Sequence, residues 1–222
     1  MIENPKATEQ DLVIHLLERD ISKSLLDATS IKYVVVPLQD VENDDDFFAY
    51  YGNRQAYIDA LDKLNYLKEI NIGTSNIKIY ENQSFNPLIS LTNGGTPYRK
   101  IDYFQISPTE YRVNLNNFFP DDKIVFSEKF HPDWKIRVGD FNWTSSLLSK
   151  KYFYPDQQHS QNQFGLNEFQ LNSEVINKNT KLTIYFAPQA NLNLGLIVSM
   201  STLMISIVII IILVVFQKHE SS

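Results

Sequence analysis

KIDYFQISPTEYRVNL, residues Lys100 to Leu115, decides the fold. Two runs rich in Ile, Val, Tyr and Phe are separated by Ser107, Pro108 and Thr109, turn-forming residues that read as the link between successive strands. Four more strand-like runs follow without helical periodicity: KIVFSEKF (Lys123 to Phe130), WKIRVG (Trp134 to Gly139), NEFQL (Asn167 to Leu171) and KLTIYFA (Lys181 to Ala187). In the second of these, Trp134, Ile136 and Val138 alternate onto one face, which predicts a core position for Trp134. Six short strands within about 90 residues predict an antiparallel β-sandwich over residues 89–190. Asn93, Gly94, Gly95 and Pro97 punctuate its start.

Toward the C-terminus the character changes. From Leu194 to Phe216 the sequence runs 23 residues without a charge. At ~1.5 Å per residue this crosses a hydrocarbon core of ~30 Å, so a transmembrane helix is predicted over residues 194–216. Its polar residues, Ser199, Ser201, Thr202 and Ser206, carry hydroxyls able to bond the helix's own carbonyls. A tail, QKHESS, occupies residues 217–222. Lys218 beyond the span is balanced by Lys178 and Lys181 before it, so flanking charge does not orient the helix. The first twenty residues lack the basic and apolar regions of a signal peptide. A lone C-terminal span without a leader predicts a tail anchor, unless the chain is the terminal piece of a longer polytopic protein.

Toward the N-terminus, Leu12, Val13, Leu16, Leu17, Ile21, Leu25 and Leu26 recur at three- and four-residue spacing, predicting one amphipathic helix from Gln10 to Asp27. IKYVVVPL (Ile31 to Leu38) reads as a buried strand, and a second helix carries Tyr57, Ile58, Leu61 and Leu64. YLKEINI and IKIYEN, separated by Gly73, Thr74, Ser75 and Asn76, read as a hairpin. Residues 1–88 are therefore expected to form a small α/β subdomain of three strands and two helices. The whole chain is α+β: this subdomain, the sandwich, then one membrane span.

Composition excludes several functions. Zero cysteines remove disulfides, thiolate metal sites and cysteine nucleophiles. A net charge of −6 is the wrong sign for wrapping a phosphate backbone, so no nucleic acid partner is expected. Asp44, Asp45 and Asp46 follow a predicted strand, where a nucleotide-sugar glycosyltransferase places a cation-holding Asp pair. With no glycine-rich phosphate cradle nearby, the run reads as a solvated loop. An EF-hand starting at Asp40 fails, because Asp45 stands where glycine is needed and Tyr51 where glutamate is needed. His15, His131, His159 and His219 are too scattered to make a metal motif, and neither a metal nor any other cofactor is expected. No catalytic signature is present.

Aromatic residues crowd FHPDWKIRVGDFNWTSSLLSKKYFYPD, which ends at Asp156. If exposed, Trp134, Trp143, Tyr152 and Tyr154 are candidates to stack on sugar rings, with Asp133, Asn142 or His159 bonding hydroxyls, because a sugar presents an apolar face edged by polar groups. Trp143, Tyr152 and His159 are the expected glycan-binding residues. Asn82 and Asn142 lie in N-x-S/T sequons.

FSEKFHPDW (Phe126 to Trp134), GLNEF (Gly165 to Phe169), LTIYFAPQ (Leu182 to Gln189) and GLIVS (Gly195 to Ser199) together resemble the C-terminal end of large bacterial polytopic membrane proteins of the YfhO and GT-C glycosyltransferase-like type. IKYVVV (Ile31 to Val36) is similar to a strand of that family upstream of its β-rich part. The resemblance covers about residues 25 to 215 and departs at Asp133, where the family tends to have glycine. It implies a β-rich extracytoplasmic domain before a last helix, with Pro132 and Trp134 shaping the sandwich. The family's donor-binding acids lie on a loop between earlier transmembrane helices and have no counterpart here. The resemblance thus implies a non-catalytic, membrane-anchored extracytoplasmic accessory module of a cell-envelope glycosyltransferase system, with the lipid bilayer, a polytopic membrane protein and glycan as partners. The alternative is a tail-anchored cytoplasmic interaction protein.

Overall fold

A computed structural model describes residues 9–38, 53–94, 98–116, 118–119, 121–139, 141–148, 158–170 and 179–220. Two compact units emerge, and chain order does not separate them. One comprises residues 1–100, 122–130 and 160–168; the other comprises 101–121, 131–159 and 169–222.

The first unit begins with α1 (Glu9–Leu17) and α2 (Ile21–Ala28). One continuous helix was the expectation from spacing. Instead the ladder tightens at Arg19, whose N–H bonds the Leu16 carbonyl at 3.3 Å, closing α1. Apolar spacing of three and four is the same on both sides of that turn, so periodicity reads through it. Ser30, with φ 62°, then reverses the chain after α2, and the Ile31 N–H closes back on the Leu26 carbonyl.

Strand β1 (Tyr33–Pro37), helix α3 (Arg54–Asp62) and strands β2 (Leu67–Ile70) and β3 (Ile77–Asn82) complete this part. The strands make an antiparallel sheet in the order β1-β3-β2, and β2 and β3 form the expected hairpin, with Gly73 at φ 80° in its turn. Asn53 caps α3 by accepting the Gln55 N–H at 2.8 Å. Leu26, Val36, Ile58, Leu61, Leu67 and Tyr80 pack into one apolar core between the helices and this sheet.

Strands β4 (Ile89–Thr92), β5 (Arg99–Lys100), β8 (Lys123–Lys129), β10 (His159–Gln161) and β11 (Leu166–Gln170) form a five-stranded sheet in the order β10-β11-β8-β4-β5. Every residue of β4 is buried, and β4 runs antiparallel to both its neighbours. The carboxylate of the buried Asp122 is paired with Arg99.

The second unit is built on β6 (Asp102–Ser107), β7 (Glu110–Asn116), β9 (Trp134–Val138) and β12 (Asn179–Phe186), antiparallel throughout in the order β6-β7-β12-β9. Alternation sorts their side chains. Tyr111, Val113, Leu115, Ile136, Leu182 and Ile184 are buried on one face, joined there by Trp134 as its alternation implied. All six runs read as strands form strands. A short helix, α4 (Trp143–Leu148), lies in the aromatic-rich segment, and it packs beside α5 (Pro188–Glu220).

Helix α5 is long and apolar enough to cross a membrane. The most apolar window within Pro188–Gln217 has mean hydropathy 2.9, and none of it is buried in protein. Proline at the first helical position costs nothing, since that N–H has no intrahelical partner. Ser201, Thr202 and Ser206 donate to the carbonyls of Ile197, Val198 and Thr202 at 2.8 to 2.9 Å, so the hydroxyls are satisfied within the helix. The predicted ends, Leu194 and Phe216, both fall inside it.

Candidate functional site

The second face of the four-stranded sheet differs from its core face. Strict alternation places Lys181, Thr183 and Tyr185 of β12 there, flanked on β7 by Asn114, Arg112 and Glu110. On the other side stand Arg137, opposite Thr183, and Lys135, opposite Tyr185. β6 adds Asp102 and Phe104, the latter opposite Arg112. One row across all four strands therefore reads Phe104, Arg112, Thr183, Arg137. Four cations meet two carboxylates on this face, although the chain as a whole carries −6.

Gly139 ends β9 at φ 85°, a conformation that costs glycine little, and its N–H bonds the Lys181 carbonyl at 2.8 Å. The chain then returns over the sheet, bringing Phe141 onto Tyr185 with ring centroids 4.4 Å apart. An open cleft of about 250 Å³ results, lined by Phe104, Arg112, Asn114, Phe141, Lys181 and Thr183 among others. Phe104 is 64% exposed at its mouth. Arg112 is steered by Glu110, whose Oε1 accepts from Nε and an Nη at 3.4 Å.

Under this cleft Tyr185 is buried, and its hydroxyl has no hydrogen-bond partner among the described residues. Burial, reinforced by the negative charge of Glu110, pushes that hydroxyl up to about 12. It stays neutral at physiological pH. Chemically the cleft offers two aromatic walls, an amide, a hydroxyl-bearing side chain and two cations, a set suited to a ring with polar or acidic substituents.

The expected glycan-binding residues lie elsewhere. Trp143 opens α4, partly exposed, and the preceding Asn142 accepts the Thr144 N–H at 3.1 Å as a cap. His159 starts β10 and stacks on Phe169 at 4.2 Å with planes 12° apart. Tyr152, Tyr154 and the Asp44 to Asp46 run lie outside the described residues. Among the described residues no group of three or more His, Asp or Glu side chains gathers as a metal site.

The two sequons diverge. Asn142 is exposed. Asn82 is fully buried: its amide donates to Asp27 Oδ1 at 2.8 Å and to the Ile31 carbonyl at 3.1 Å, and its oxygen accepts from Ser84.

Apart from Phe141, which lies in the aromatic-rich segment, the cleft residues Phe104, Arg112, Asn114, Lys181 and Thr183 sit inside runs whose only visible message was strand. A signal was present, since Arg112, Lys135 and Arg137 stand between apolar neighbours and Lys181 directly precedes Leu182, but strand pairing is needed to gather them. No family model, curated protein or solved structure matches the chain.

Proposed function

We propose that this chain is a non-catalytic, single-pass membrane-anchored module that holds glycan outside the cytoplasm, assisting a polytopic glycosyltransferase of the cell envelope. One observation carries the anchored, surface-facing part of this reading: β12 passes into the membrane-length helix through Ala187 alone. The Phe186 N–H bonds the Thr109 carbonyl at 2.9 Å and the Ala187 N–H bonds the Asp133 carbonyl at 3.0 Å, so the junction is tied to the sheet on both sides. Ala190, one turn into α5, is itself buried. From Pro188 to Leu194 the helix rises about 9 Å, little more than the depth of one headgroup layer. The sheet bearing the cleft is thereby held at the bilayer surface, where a module serving a membrane-embedded transferase has to work. The glycan part rests on the aromatic and polar lining of the cleft, and the envelope setting on the sequence resemblance.

Sidedness has a clean test, because the chain contains no cysteine. Ser75→Cys, in the exposed hairpin turn, and Ser221→Cys, in the tail, each create a single thiol. In intact cells a membrane-impermeant maleimide should label the first and not the second. Labelling of the tail thiol alone would replace this reading with the tail-anchored cytoplasmic one.

A further inference from the structure

The charge around the cleft points past sugar recognition in general to one class of sugar. We infer that the cleft selects an anionic glycan, one bearing carboxylate or phosphate groups, with Arg112 and Lys181 meeting the anion and Phe104 stacking on the ring. The inference rests on the glycan reading above and narrows it.

Its support is positional. Arg112 and Lys181 stand on adjacent strands on the same face, with Lys181 opposite Asn114 and Arg112 opposite Thr183 in the register of β7 and β12. Successive residues on one face of a strand are about 7 Å apart along it. The two cations are thus spaced to meet acidic groups on one sugar or on neighbouring sugars. Among the described residues that line the cleft none is a carboxylate. Glu110, at the adjacent β7 position on this face, fixes the Arg112 guanidinium through one edge, and a planar guanidinium with five N–H donors keeps others for a ligand. Phe104 projects beside Arg112 and is largely uncovered, and an exposed ring next to a cation is the arrangement that holds an acidic sugar by its apolar face and its charge together. A neutral glycan offers these cations only hydroxyl oxygens, weaker partners than the carboxylate or phosphate of an acidic one.

The test uses the full-length chain in discs of phosphatidylcholine, which presents no net lipid charge, with tetragalacturonate and uncharged galactotetraose as probes in calorimetric titrations. The acidic tetrasaccharide should bind at least about tenfold more tightly than the neutral one, and raised salt should erode the difference. The double variant Arg112→Gln, Lys181→Gln should abolish the preference with an unchanged melting temperature. Phe104→Ala should weaken the acidic ligand while the salt dependence persists. Equal affinity for the two probes, or a preference that survives the double variant, overturns the anionic assignment and leaves the glycan reading standing. If neither probe binds, both fall.

Discussion

Trp134 and Phe186 face one another at the last register position of β9 and β12, with ring centroids 5.2 Å apart, and two residues later the chain enters its membrane-length helix. His131 meets the other side of Phe186 at 5.1 Å, and Tyr111 meets Trp134 at 6.2 Å. Truncating Trp134 to alanine therefore removes a buried ring from the end of the sheet that bears the helix. A loss of about 3 to 5 kcal/mol is expected, measurable by denaturant unfolding in mild detergent. A loss below about 1 kcal/mol would mean that this end of the sheet is not a packed core.

Asn82 supplies a second test. Replacing it with alanine strips Asp27 and the Ile31 carbonyl of a buried donor, and the expected cost is about 1 to 3 kcal/mol. Asn142→Ala removes an exposed cap from a six-residue helix and should cost about 1 kcal/mol or less. Comparable destabilisation by the two variants would contradict the different environments of the two sequons.

Acid and base should act on one cluster in opposite ways. The Tyr80 hydroxyl donates to Asp62 Oδ1 at 2.7 Å, and Lys78 Nζ reaches the Asp62 carboxylate at 3.0 Å and Glu69 at 3.1 Å. The Tyr80 bond, with help from Lys78, holds the Asp62 carboxyl below its ordinary value against the opposing effect of burial. A lowered carboxyl adds stability above its unfolded pKa, about 3.9, and that stability disappears as pH falls through the lower folded value. Tyr80 is pushed up to about 12, by burial first and by its bond to Asp62 second. Lys78 is raised as well: burial pulls it down, but bonds to Tyr80, Asp62 and Glu69 outweigh that. Both of these raised groups stabilise fully below their unfolded values, about 10 and 10.4, and lose the contribution as pH climbs through the folded ones. Asp62→Asn should flatten the acid limb of a stability-against-pH curve, and Tyr80→Phe should lower stability at neutral pH by about 1 to 2 kcal/mol. An unchanged acid limb in Asp62→Asn would remove Asp62 as its source.

Deleting residues 194 to 222 should release the protein from membranes into the soluble fraction, because Leu194 to Phe216 provides the one long uncharged apolar run in the sequence. Persistent sedimentation with membranes would locate a second attachment in the remaining chain.

Trp143 and Phe104 separate two places where a sugar could stack. Phe104 lines the cleft and Trp143 begins α4. Phe104→Ala is expected to weaken tetragalacturonate binding, and Trp143→Ala to change it by less than about twofold, a margin under 0.5 kcal/mol. The opposite ranking would move the binding surface to α4.

What the sequence disclosed follows from the range of the forces involved. The runs around Tyr111, Ile124, Ile136 and Ile184 were legible because β-branched and aromatic enrichment is a local property. The span was legible because an uncharged run of that length has few other uses. β4 was hidden because ISLT is only four residues long and lies beside turn-forming residues, and its burial comes from pairing with β8 more than thirty residues away. The break after Leu17 was hidden because a change from i−4 to i−3 bonding leaves apolar spacing intact. For the candidate site, Phe104, Arg112 and Lys181 come from three segments that share a face only after β6, β7 and β12 have paired. Trp143 drew attention by its type, whereas the cleft depends on register, which no single segment encodes.

The absence of slack at Ala187 turns the membrane into a mechanical input. A helix of 33 residues is about 50 Å long and exceeds the hydrocarbon thickness, so thicker and thinner bilayers are met by different tilts. With Phe186 and Ala187 fastened to the turns on either side, such a tilt passes into the strands instead of being absorbed by a linker. The cleft's pitch above the lipid then becomes a function of bilayer thickness, which a depth-sensitive label placed at Phe104 in discs of short and long acyl chains would read directly.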